Sequence, residues 1–448
     1  MLFAAVGLLL GGIDDLLIDL LYIVRTLWRR LTVYTRHRPM TTATLPDDTA
    51  PGGMAVFIPA WQEAAVIGPM LRAALGRWGD GDYRIFVGVY PNDPATATIV
   101  RNIADSNPHV IPVVTGRPGP TTKADCLNAI WTAMLAEEAL AHIRFKAVVL
   151  HDAEDVVHAD ALRLLSCMVD RFDLVQLPVL PLASQQSKWV AGHYLDEFAE
   201  SHGKSITVRE ALGAAVPSAG VGCAFSRQAL AALAEEQDGA PFDPHSLTED
   251  YEAGLRIVEA GGRTAFVRMK DARGQLVCTR EHFPDTFRDA VKQKARWTVG
   301  IALSGWDRLG WRGGVAERWM RLRDRRTALA ALVVFVAYLA LLCQAALYFA
   351  GALTGWIEPA LSNALIHLLE INFVLMLWRM AIRAWFVTAA YGWRQGMRSV
   401  PRTIIANIIL IFAVRRAVVI YFGLMRGAPL RWDKTTHRFP PLAAGRPL

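Results

Sequence analysis

The chain has 448 residues, which is long for one domain and predicts two or three structural regions. Hydrophobic residues make up 53% of it and charged residues 20%. Because ordinary soluble domains carry about 25% charged residues, this composition indicates membrane segments and excludes disordered, collagen-like and coiled-coil chains. The five cysteines are dispersed and form no C-x-x-C pair, which argues against a disulfide framework and a zinc site.

The net charge of +7 is unevenly distributed along the chain. Residues 1–40 carry +2, residues 312–326 carry +4 and residues 379–448 carry +11, whereas residues 41–311 carry −8. Positive charge beside apolar segments is typical of contact with lipid headgroups, and an acidic central region does not suit a phosphate-reading groove. We therefore expect the lipid bilayer as a partner and no nucleic acid.

The first predicted element is an apolar helix. Residues 1–24 are apolar apart from Asp14, Asp15 and Asp19, and they lack the basic start and cleavage site of a signal peptide. Five arginines follow before residue 40. We predict an N-terminal membrane anchor with a basic flank over residues 1–40.

Four short apolar runs then alternate with helical patterns, at residues 54–58, 84–90, 110–114 and 146–151. This alternation predicts an α/β domain, over residues 41–311, in which a parallel sheet is covered by helices. Polar or turn residues follow each run, and ligands of open α/β sheets bind at those carboxyl ends. No G-x-G-x-x-G follows a strand and no loop ends in G-K-[ST], which argues against a dinucleotide site and a P-loop.

Two carboxylates follow the fourth run at positions i and i+2, Asp152 and Glu154. This spacing lets both reach one hard cation such as Mg²⁺ or Mn²⁺, which can neutralise a departing diphosphate. The alternative is that these acids, with Asp155, start a helix near His158. Lys123, in KADCLN, is either a phosphate contact or a solvated lysine at a helix start.

A second acidic motif, T-E-D, precedes the helical pattern YEAGLRIVEAG. In isolation, Thr248 could be an N-cap followed by the first-turn acids Glu249 and Asp250. Such acids are common at helix starts because they interact favourably with the helix dipole. The motif alone therefore does not assign a catalytic role.

The segment QKARW places an amide, a guanidinium and an indole on one helix face, at positions i, i+3 and i+4. These are the side chains of Gln293, Arg296 and Trp297. A flat indole beside hydrogen-bond donors suits a sugar ring. An arginine and a tryptophan that pack against the core or a membrane would give the same pattern.

The C-terminal third begins with a basic juxtamembrane segment, residues 312–326, followed by an apolar one. Residues 327–349 contain no ionisable acid or base, and about 20 such residues suffice to cross a bilayer. We predict two transmembrane helices over residues 327–380. Arginines lie on the domain side of these segments, whereas residues 350–359 contain no Lys or Arg, so the positive-inside rule predicts a cytoplasmic α/β domain.

The last apolar stretch, residues 402–424, is interrupted by Arg415 and Arg416. Each arginine would cost about 2.5 to 3.5 kcal/mol in the middle of a bilayer. We therefore predict interfacial or re-entrant helices over residues 381–448, followed within that range by a W-D-K-T-x-H segment.

Seven short segments occur in one order along the chain: PAWQE, PND, KADCLN, DAED, GCAFSR, TED and QKARW. In order and spacing the chain resembles the processive family 2 glycosyltransferases, which include cellulose, chitin, hyaluronan and poly-N-acetylglucosamine synthases. The resemblance covers residues 54–300. Three further segments, EHFPDTF, YPNDPAT and WDKTTH, resemble a bacterial inner-membrane branch of the family and extend the resemblance along nearly the whole chain.

The resemblance implies a GT-A fold, a UDP-sugar donor and inversion at the anomeric carbon by one direct displacement. Asp250 would be the base, and Asp152 with Glu154 would hold Mg²⁺ or Mn²⁺. Donor and nucleotide contacts are implied at Glu63, Asp93, Lys123 and Asp152. Acceptor contacts are implied at Gly222, Cys223, Glu249, Gln293, Arg296 and Trp297, and a gating role at Thr435. Glu154 stands where most relatives have Asp, and Asp93 where relatives usually have paired acids.

The sequence thus predicts a polysaccharide synthase in the bacterial inner membrane that uses a UDP-sugar, by resemblance an N-acetylhexosamine donor. Its expected partners are the growing polysaccharide, the bilayer and an outer-membrane export protein. One alternative is transfer of a single sugar to a lipid acceptor. Another is a non-catalytic receptor or scaffold that retains the fold.

Overall fold

The structure, a computed structural model, describes residues 1–46, 52–355, 360–428 and 438–440. Its centre is a seven-stranded sheet with the spatial order β3-β2-β1-β4-β6-β5-β7. In chain order the strands are β1 (Met54–Pro59), β2 (Tyr83–Val89), β3 (Val110–Val114), β4 (Ala147–Leu150), β5 (Leu174–Gln176), β6 (Cys223–Ser226) and β7 (Thr264–Phe266).

The first four strands agree with the four predicted runs to within one residue at each end, and they pair in parallel. The predicted parallel pairing is confirmed for β1 to β4, and the sheet as a whole is mixed because β6 runs antiparallel to both β4 and β5. Strands β5, β6 and β7 have three or four residues each, too few to show a recognisable strand pattern in the sequence.

Helices cover both faces of the sheet, as the apolar character of β1 requires. Val56 and Ile58 pack with apolar side chains of α2 (Ile67–Trp78), α3 (Pro94–Ala104) and α5 (Ala161–Val169). Ala55 and Phe57 point to the opposite face and pack with α4 (Lys123–Ala141) and α8 (Arg227–Glu235). Because successive strand side chains alternate between faces, burial on both sides explains the continuous apolar run.

Six further helices follow or cross the carboxyl edge of the sheet: α6 (Val190–Glu200), α7 (Ile206–Ala211), α9 (Glu249–Glu259), α10 (Phe287–Trp297), α11 (Gly305–Leu309) and α12 (Val315–Arg325). A π-helical turn, Ser201–Ser205, joins α6 to α7, and a second one, Thr298–Ser304, joins α10 to α11. Such turns are rare and occur frequently at functional sites.

The three acids of the N-terminal helix α1 (Leu2–Thr32) are paired with cations of other elements. Arg323 of α12 and Arg326, the C-cap of that helix, contact Asp14 and Asp15, with Arg326 Nη2 2.7 Å from Asp15 Oδ1. Lys204 donates to Asp19. Several of the arginines expected to face lipid headgroups are therefore engaged with protein carboxylates instead.

Within the described residues, three helices are long and apolar enough to cross a membrane, judged by length and composition: α13 (Thr327–Thr354), α14 (Asn363–Tyr391) and α15 (Trp393–Met425). Helix α14 extends 11 residues beyond the predicted boundary at residue 380. Helix α1 packs along α13 and α14, where Asn372 Nδ2 donates to the carbonyl oxygen of Ala5 at 2.9 Å.

Helix α15 lies along the α/β domain over most of its length. Near its start, Arg402 Nη1 lies 2.8 Å from Asp196 Oδ1 on α6. In its middle, Ile409 packs in a buried cluster with Ala290 of α10, and near its end Tyr421 donates to Asp307 of α11. These contacts fix α15 against the α/β domain, and the interfacial placement expected for this stretch stays a prediction.

Candidate active site

A cavity of about 510 Å³ opens at the carboxyl edge of the sheet, where α9, α10 and α12 meet it. Nine of the residues singled out from the sequence line it: Glu63, Lys123, Asp152, Glu154, Glu249, Asp250, Gln293, Arg296 and Trp297. The cavity also reaches Leu410 of α15 and Thr327, the first residue of α13. One space therefore connects the acidic motifs to the start of a membrane-length helix.

Lys123 is the first residue of α4, as one alternative held, but its side chain is not solvated. Its ammonium lies 2.6 Å from Asp152 Oδ1, and the Lys123 side chain as a whole is 18% exposed. Burial acts to lower the pKa of Lys123, and the charges of Asp152, Glu249 and Asp250 outweigh burial and raise it. Lys123 is thus a cation held among three acids, which suits contact with an anionic group.

Asp152 and Glu154 follow β4 in a turn. The alternative in which these acids start a helix is wrong. The next helix, α5, begins at Ala161. Asp155 fixes the turn because its Oδ2 accepts from Asp152 N at 3.2 Å and lies 2.6 Å from His151 Nδ1. The two acids at i and i+2 therefore face the cavity.

Glu63 lines the cavity, whereas Asp93 does not. Asp93 is 7% exposed, and its oxygens accept from Gln62 N at 2.6 Å and from Thr96 N at 3.3 Å, the latter capping α3. Gln62 has a positive φ of 55°, a conformation that needs such support in a residue other than glycine. One carboxylate oxygen of Asp93 thus holds the turn that carries Glu63 and the other caps α3, and its donor contact stays a prediction.

Glu249 and Asp250 form the first turn of α9. Thr248 occupies the N-cap position, but its side chain makes no capping hydrogen bond, so the helix-cap interpretation of this motif is incomplete. Burial raises the pKa of Glu249 to about 7, with the charge of Asp250 acting in the same direction. Burial also raises the pKa of Asp250, and Lys123 opposes that rise.

Gly220 and Gly222 shape the wall beside these acids. A Cβ at Gly220 would lie 2.1 Å from Asp250 Oδ2, and a Cβ at Gly222 would lie 2.2 Å from Thr279 Oγ1. Both glycines have positive φ, 75° and 59°. Larger residues would displace the Asp250 carboxylate or the Thr279 hydroxyl.

Cys223 is not at the cavity surface, contrary to the acceptor contact expected for it. The residue is fully buried on β6, and its sulfur lies 3.1 Å from Ser218 Oγ. Burial raises the pKa of its thiol to about 12. Gly222 likewise is not among the lining residues, whereas Ser218 is, so these two positions support the wall from behind.

Gln293, Arg296 and Trp297 present one face of α10 to the cavity, as their spacing predicted. Phe198 and Phe283 extend the indole into an aromatic wall, with ring centroids 6.4 Å from that of Trp297 in both cases. Gln293 Oε1 is buried without a hydrogen-bond partner. An aromatic face beside unused polar atoms is the arrangement that binds a sugar ring.

The acidic motifs fit a divalent cation. Five carboxyl groups line the same cavity as Lys123: Glu63, Asp152, Glu154, Glu249 and Asp250. A diphosphate would be repelled there unless positive charge were added, and Asp152 and Glu154 provide the oxygen ligands that Mg²⁺ and Mn²⁺ prefer. In the described part of the chain, no group of three or more His, Cys, Asp or Glu residues is arranged to hold a metal. The protein would therefore supply two ligands rather than a closed cage.

Sequence reasoning missed the part of the wall nearest the membrane helices. It consists of Ser201, Ser205, Arg209, Arg323, Asp324 and Thr327. Arg323, Asp324 and Thr327 share a helical face, which is a weak signal in the sequence. The others lie on elements whose approach to that face depends on tertiary packing. Thr435, expected to gate the site, lies outside the described residues.

The family is decided by comparison with known proteins. Residues 51–300 match the family model described as glycosyltransferase like family 2. The chain belongs to this family. Membership and the seven-stranded mixed sheet together confirm the α/β glycosyltransferase fold that the motifs implied, with membrane-length helices at the C-terminal end.

The chain is 41% identical over 467 residues to bacteriophage adsorption protein B of Escherichia coli (strain K12), and equally to bacteriophage N4 adsorption protein B of Escherichia coli O157:H7. Each match covers 97% of this chain and 61% of the relative, so the chain spans less than two thirds of their length. The segments EHFPDTF, YPNDPAT and WDKTTH indicated similarity to bacteriophage adsorption protein B, and this similarity is confirmed.

Two solved structures show more distant similarity. Glucosyl-3-phosphoglycerate synthase from Mycobacterium tuberculosis, solved with Mn²⁺, uridine diphosphate and phosphoglyceric acid, has a TM-score of 0.37 and 21% identity. That match covers 62% of this chain and 86% of the synthase. S. aureus TarS has a TM-score of 0.36 and 12% identity, covering 61% of this chain and 43% of TarS.

Proposed function

We propose that this protein is an inverting, metal-dependent glycosyltransferase that polymerises sugars from a UDP-sugar, an N-acetylhexosamine donor, at the cytoplasmic face of the bacterial inner membrane. The observation that carries the proposal is the continuity of the cavity. It joins the acids after β4, the first turn of α9 and the aromatic wall of α10 to the first residue of α13.

The donor end is proposed to bind the nucleotide and its diphosphate. Lys123 contacts the diphosphate, and Glu63 lies beside the nucleotide. Asp152 and Glu154 hold Mg²⁺ or Mn²⁺, which when bound supplies the positive charge that a departing diphosphate needs. The 2.6 Å pair between Lys123 and Asp152 keeps the ammonium at the cavity before the donor arrives.

Asp250 is proposed to be the general base. An acceptor hydroxyl oxygen forms a bond to the anomeric carbon as the bond from that carbon to the diphosphate oxygen breaks. UDP leaves with the bonding electrons, and the hydroxyl proton passes to Asp250. The Asp250 carboxylate suits this step because Tyr251 N donates to its Oδ1 at 2.8 Å and orients it, while Oδ2 lies against Gly220.

The acceptor is proposed to stack on Trp297, with hydrogen bonds to Gln293 and Arg296. Glu249 stands at the junction of donor and acceptor, where its raised pKa lets the protonated form donate a hydrogen bond to a sugar oxygen. Holding the acceptor hydroxyl against the donor lowers the entropic part of the barrier.

The membrane arrangement proposed has α1, α13 and α14 in the bilayer and α15 at its cytoplasmic surface. The ion pairs of Asp14 and Asp15 with Arg323 support it, because they place the charged part of α1 at the domain side. The polymer would leave through the membrane toward an outer-membrane export protein. The relatives' name, bacteriophage adsorption protein, fits a product displayed at the cell surface, where a phage would adsorb.

Single-sugar transfer to a lipid acceptor is the second candidate. The observation in its favour is that the cavity reaches Leu410 and Thr327, on helices long enough for a membrane. A scaffold without turnover is the third. The intact set of Lys123, Asp152 and Asp250 around one cavity favours an enzyme over a scaffold.

Release of UDP by the purified protein in lipid nanodiscs, tested with a panel of UDP-sugars and Mg²⁺ or Mn²⁺, distinguishes these proposals. A polymerase gives a ladder or high-mass product on a carbohydrate gel, and single transfer gives one glycolipid. Asp152→Asn serves as the inactive reference. Absence of UDP release with every donor would contradict the enzymatic proposal.

A further inference from the structure

The membrane end of the cavity contains a group of polar side chains without a role so far. We call Ser201, Ser205, Arg209 and Asp324 the hydroxyl subsite. Ser201 and Ser205 begin and end the π-helical turn after α6, and Arg209 and Asp324 come from α7 and α12. All four line the cavity.

The subsite has unused hydrogen-bonding capacity. The side chains of Ser201 and Ser205 are partly exposed and line the cavity, and Arg209, only 5% exposed, has an Nη2 with no hydrogen-bond partner among the described residues. A buried arginine nitrogen without a partner is costly, so its presence at a cavity indicates a ligand or ordered water that accepts a hydrogen bond.

A network fixes the subsite relative to the proposed base. Arg209 Nη1 donates to Asp324 Oδ2 at 2.7 Å, and Tyr251 OH donates to the same oxygen at 2.6 Å. Tyr251 directly follows Asp250 in the chain. The hydrogen bond from Tyr251 therefore links the subsite to the turn of α9 that carries the proposed base.

The charges of this region are balanced. Arg209 is paired with Asp324, and Arg323 is paired with Asp14 and Asp15 of α1. A phosphate group would find no cation there that a carboxylate has not already neutralised, and it would meet the Asp324 carboxylate. Neutral hydroxyl and amide groups, in contrast, can both accept from the serines and Arg209 and donate to Asp324.

We propose that the hydroxyl subsite binds an uncharged sugar unit of the acceptor, one that lies beyond the reacting unit on the way to α13. The proposal rests on the proposed function and sharpens it: the acceptor is a neutral oligosaccharide chain rather than a phosphate-bearing lipid. In this proposal the π-helical turn contributes to acceptor binding, since both of its serines line the cavity.

The test compares three full-length proteins in detergent: wild type, Ser201→Ala/Ser205→Ala and Thr207→Val. Thr207 is the matched control, because it follows the same turn, its Oγ1 is buried without a partner, and it does not line the cavity. The probe is a neutral N-acetylglucosamine tetrasaccharide, with affinity measured by calorimetry. Melting temperatures confirm that each variant folds.

We expect the double alanine variant to bind the tetrasaccharide on the order of 10-fold more weakly than wild type, from the loss of two hydrogen bonds. Thr207→Val should bind as wild type does. The inference is overturned if wild type does not bind the tetrasaccharide, if all three proteins bind it equally, or if a prenyl phosphate binds more tightly and loses affinity in the double variant. Failure of the proposed function looks different: the tetrasaccharide binds as expected, but no donor releases UDP.

Discussion

Replacement of Asp250 by asparagine separates the chemistry of this site from its architecture. Asparagine keeps the size of the side chain, and its Oδ1 can still accept from Tyr251 N, the bond that is 2.8 Å long in the structure. The amide cannot take the proton of an acceptor hydroxyl. Because Lys123 keeps its 2.6 Å contact with Asp152 when the charge of Asp250 is removed, we expect the variant to fold and to bind the UDP-sugar.

General-base catalysis contributes about 10² to 10⁴ in rate, which at about 1.4 kcal/mol per factor of ten is roughly 3 to 5 kcal/mol of barrier. We expect the loss in Asp250→Asn to lie within that range. Glu249 limits the loss, because removal of the neighbouring negative charge lowers the pKa of Glu249 and leaves a second carboxylate able to accept a proton. The double variant Asp250→Asn/Glu249→Gln should therefore be slower than Asp250→Asn alone.

The assay is UDP release with and without acceptor, beside binding of the donor measured by calorimetry. Asp105→Asn, which changes an exposed carboxylate at the end of α3, is the matched control and should behave as wild type. Trp297→Ala should lose transfer and retain part of the donor hydrolysis, since the indole orients the acceptor only. If Asp250→Asn transferred sugar at the wild-type rate, or if Trp297→Ala lost hydrolysis as completely as Asp250→Asn, the assignment of base and acceptor wall would be wrong.

Asp152→Asn should abolish turnover, as should excess chelator on wild type; full activity of wild type in chelator would contradict the metal proposal. Glu249→Gln should raise the melting temperature at pH 8 and leave it unchanged at pH 4. The reason is that a folded-state pKa of about 7 against 4.5 for the unfolded chain makes the ionised form destabilising above that range; equal shifts at both pH values would refute this. Asp15→Asn should lower the free energy of unfolding by about 1 to 3 kcal/mol, because it leaves Asp14 as the remaining α1 carboxylate beside Arg323 and Arg326, and Asp15→Glu should restore part of it in the same melting experiment. A cysteine at Arg426, near the end of α15, should resist labelling from outside intact cells, and labelling from outside alone would exclude the interfacial placement.

Local patterns predicted the parts of the structure that depend on short-range regularity. The four long strands follow from continuous apolar runs, and the helix face of Gln293, Arg296 and Trp297 follows from their spacing. The acids after β4 face the cavity because the carboxyl ends of parallel strands meet at one edge of a sheet. These features depend on backbone geometry, which repeats with the same period in every protein.

Other sequence-based interpretations stay predictions, because the same residue type can bind a ligand or support the structure. Asp93 follows a strand, as a ligand-binding acid would, yet its carboxylate caps α3 and supports the turn at Gln62. Cys223 is part of a conspicuous motif, but its side chain belongs to the core behind the cavity. A sequence pattern shows that an acid or thiol lies near a strand end. It does not show which neighbouring groups that side chain contacts in the folded protein.

The sequence by itself determined the α/β domain, the acidic and aromatic motifs of the site and the membrane-length helices. Each of these features depends on residues that lie close together along the chain. Tertiary structure alone decided that α1 gives its acids to the arginines of α12, that α15 lies along the domain, and that the turn at Ser201–Ser205 meets Asp324 at the membrane end of the cavity. The residues in each of these contacts are between roughly 100 and 300 positions apart in the sequence. Whether such residues come into contact depends on how whole helices and strands pack to bury apolar surface and pair charges. The periodicity of a short sequence segment contains no information about that packing.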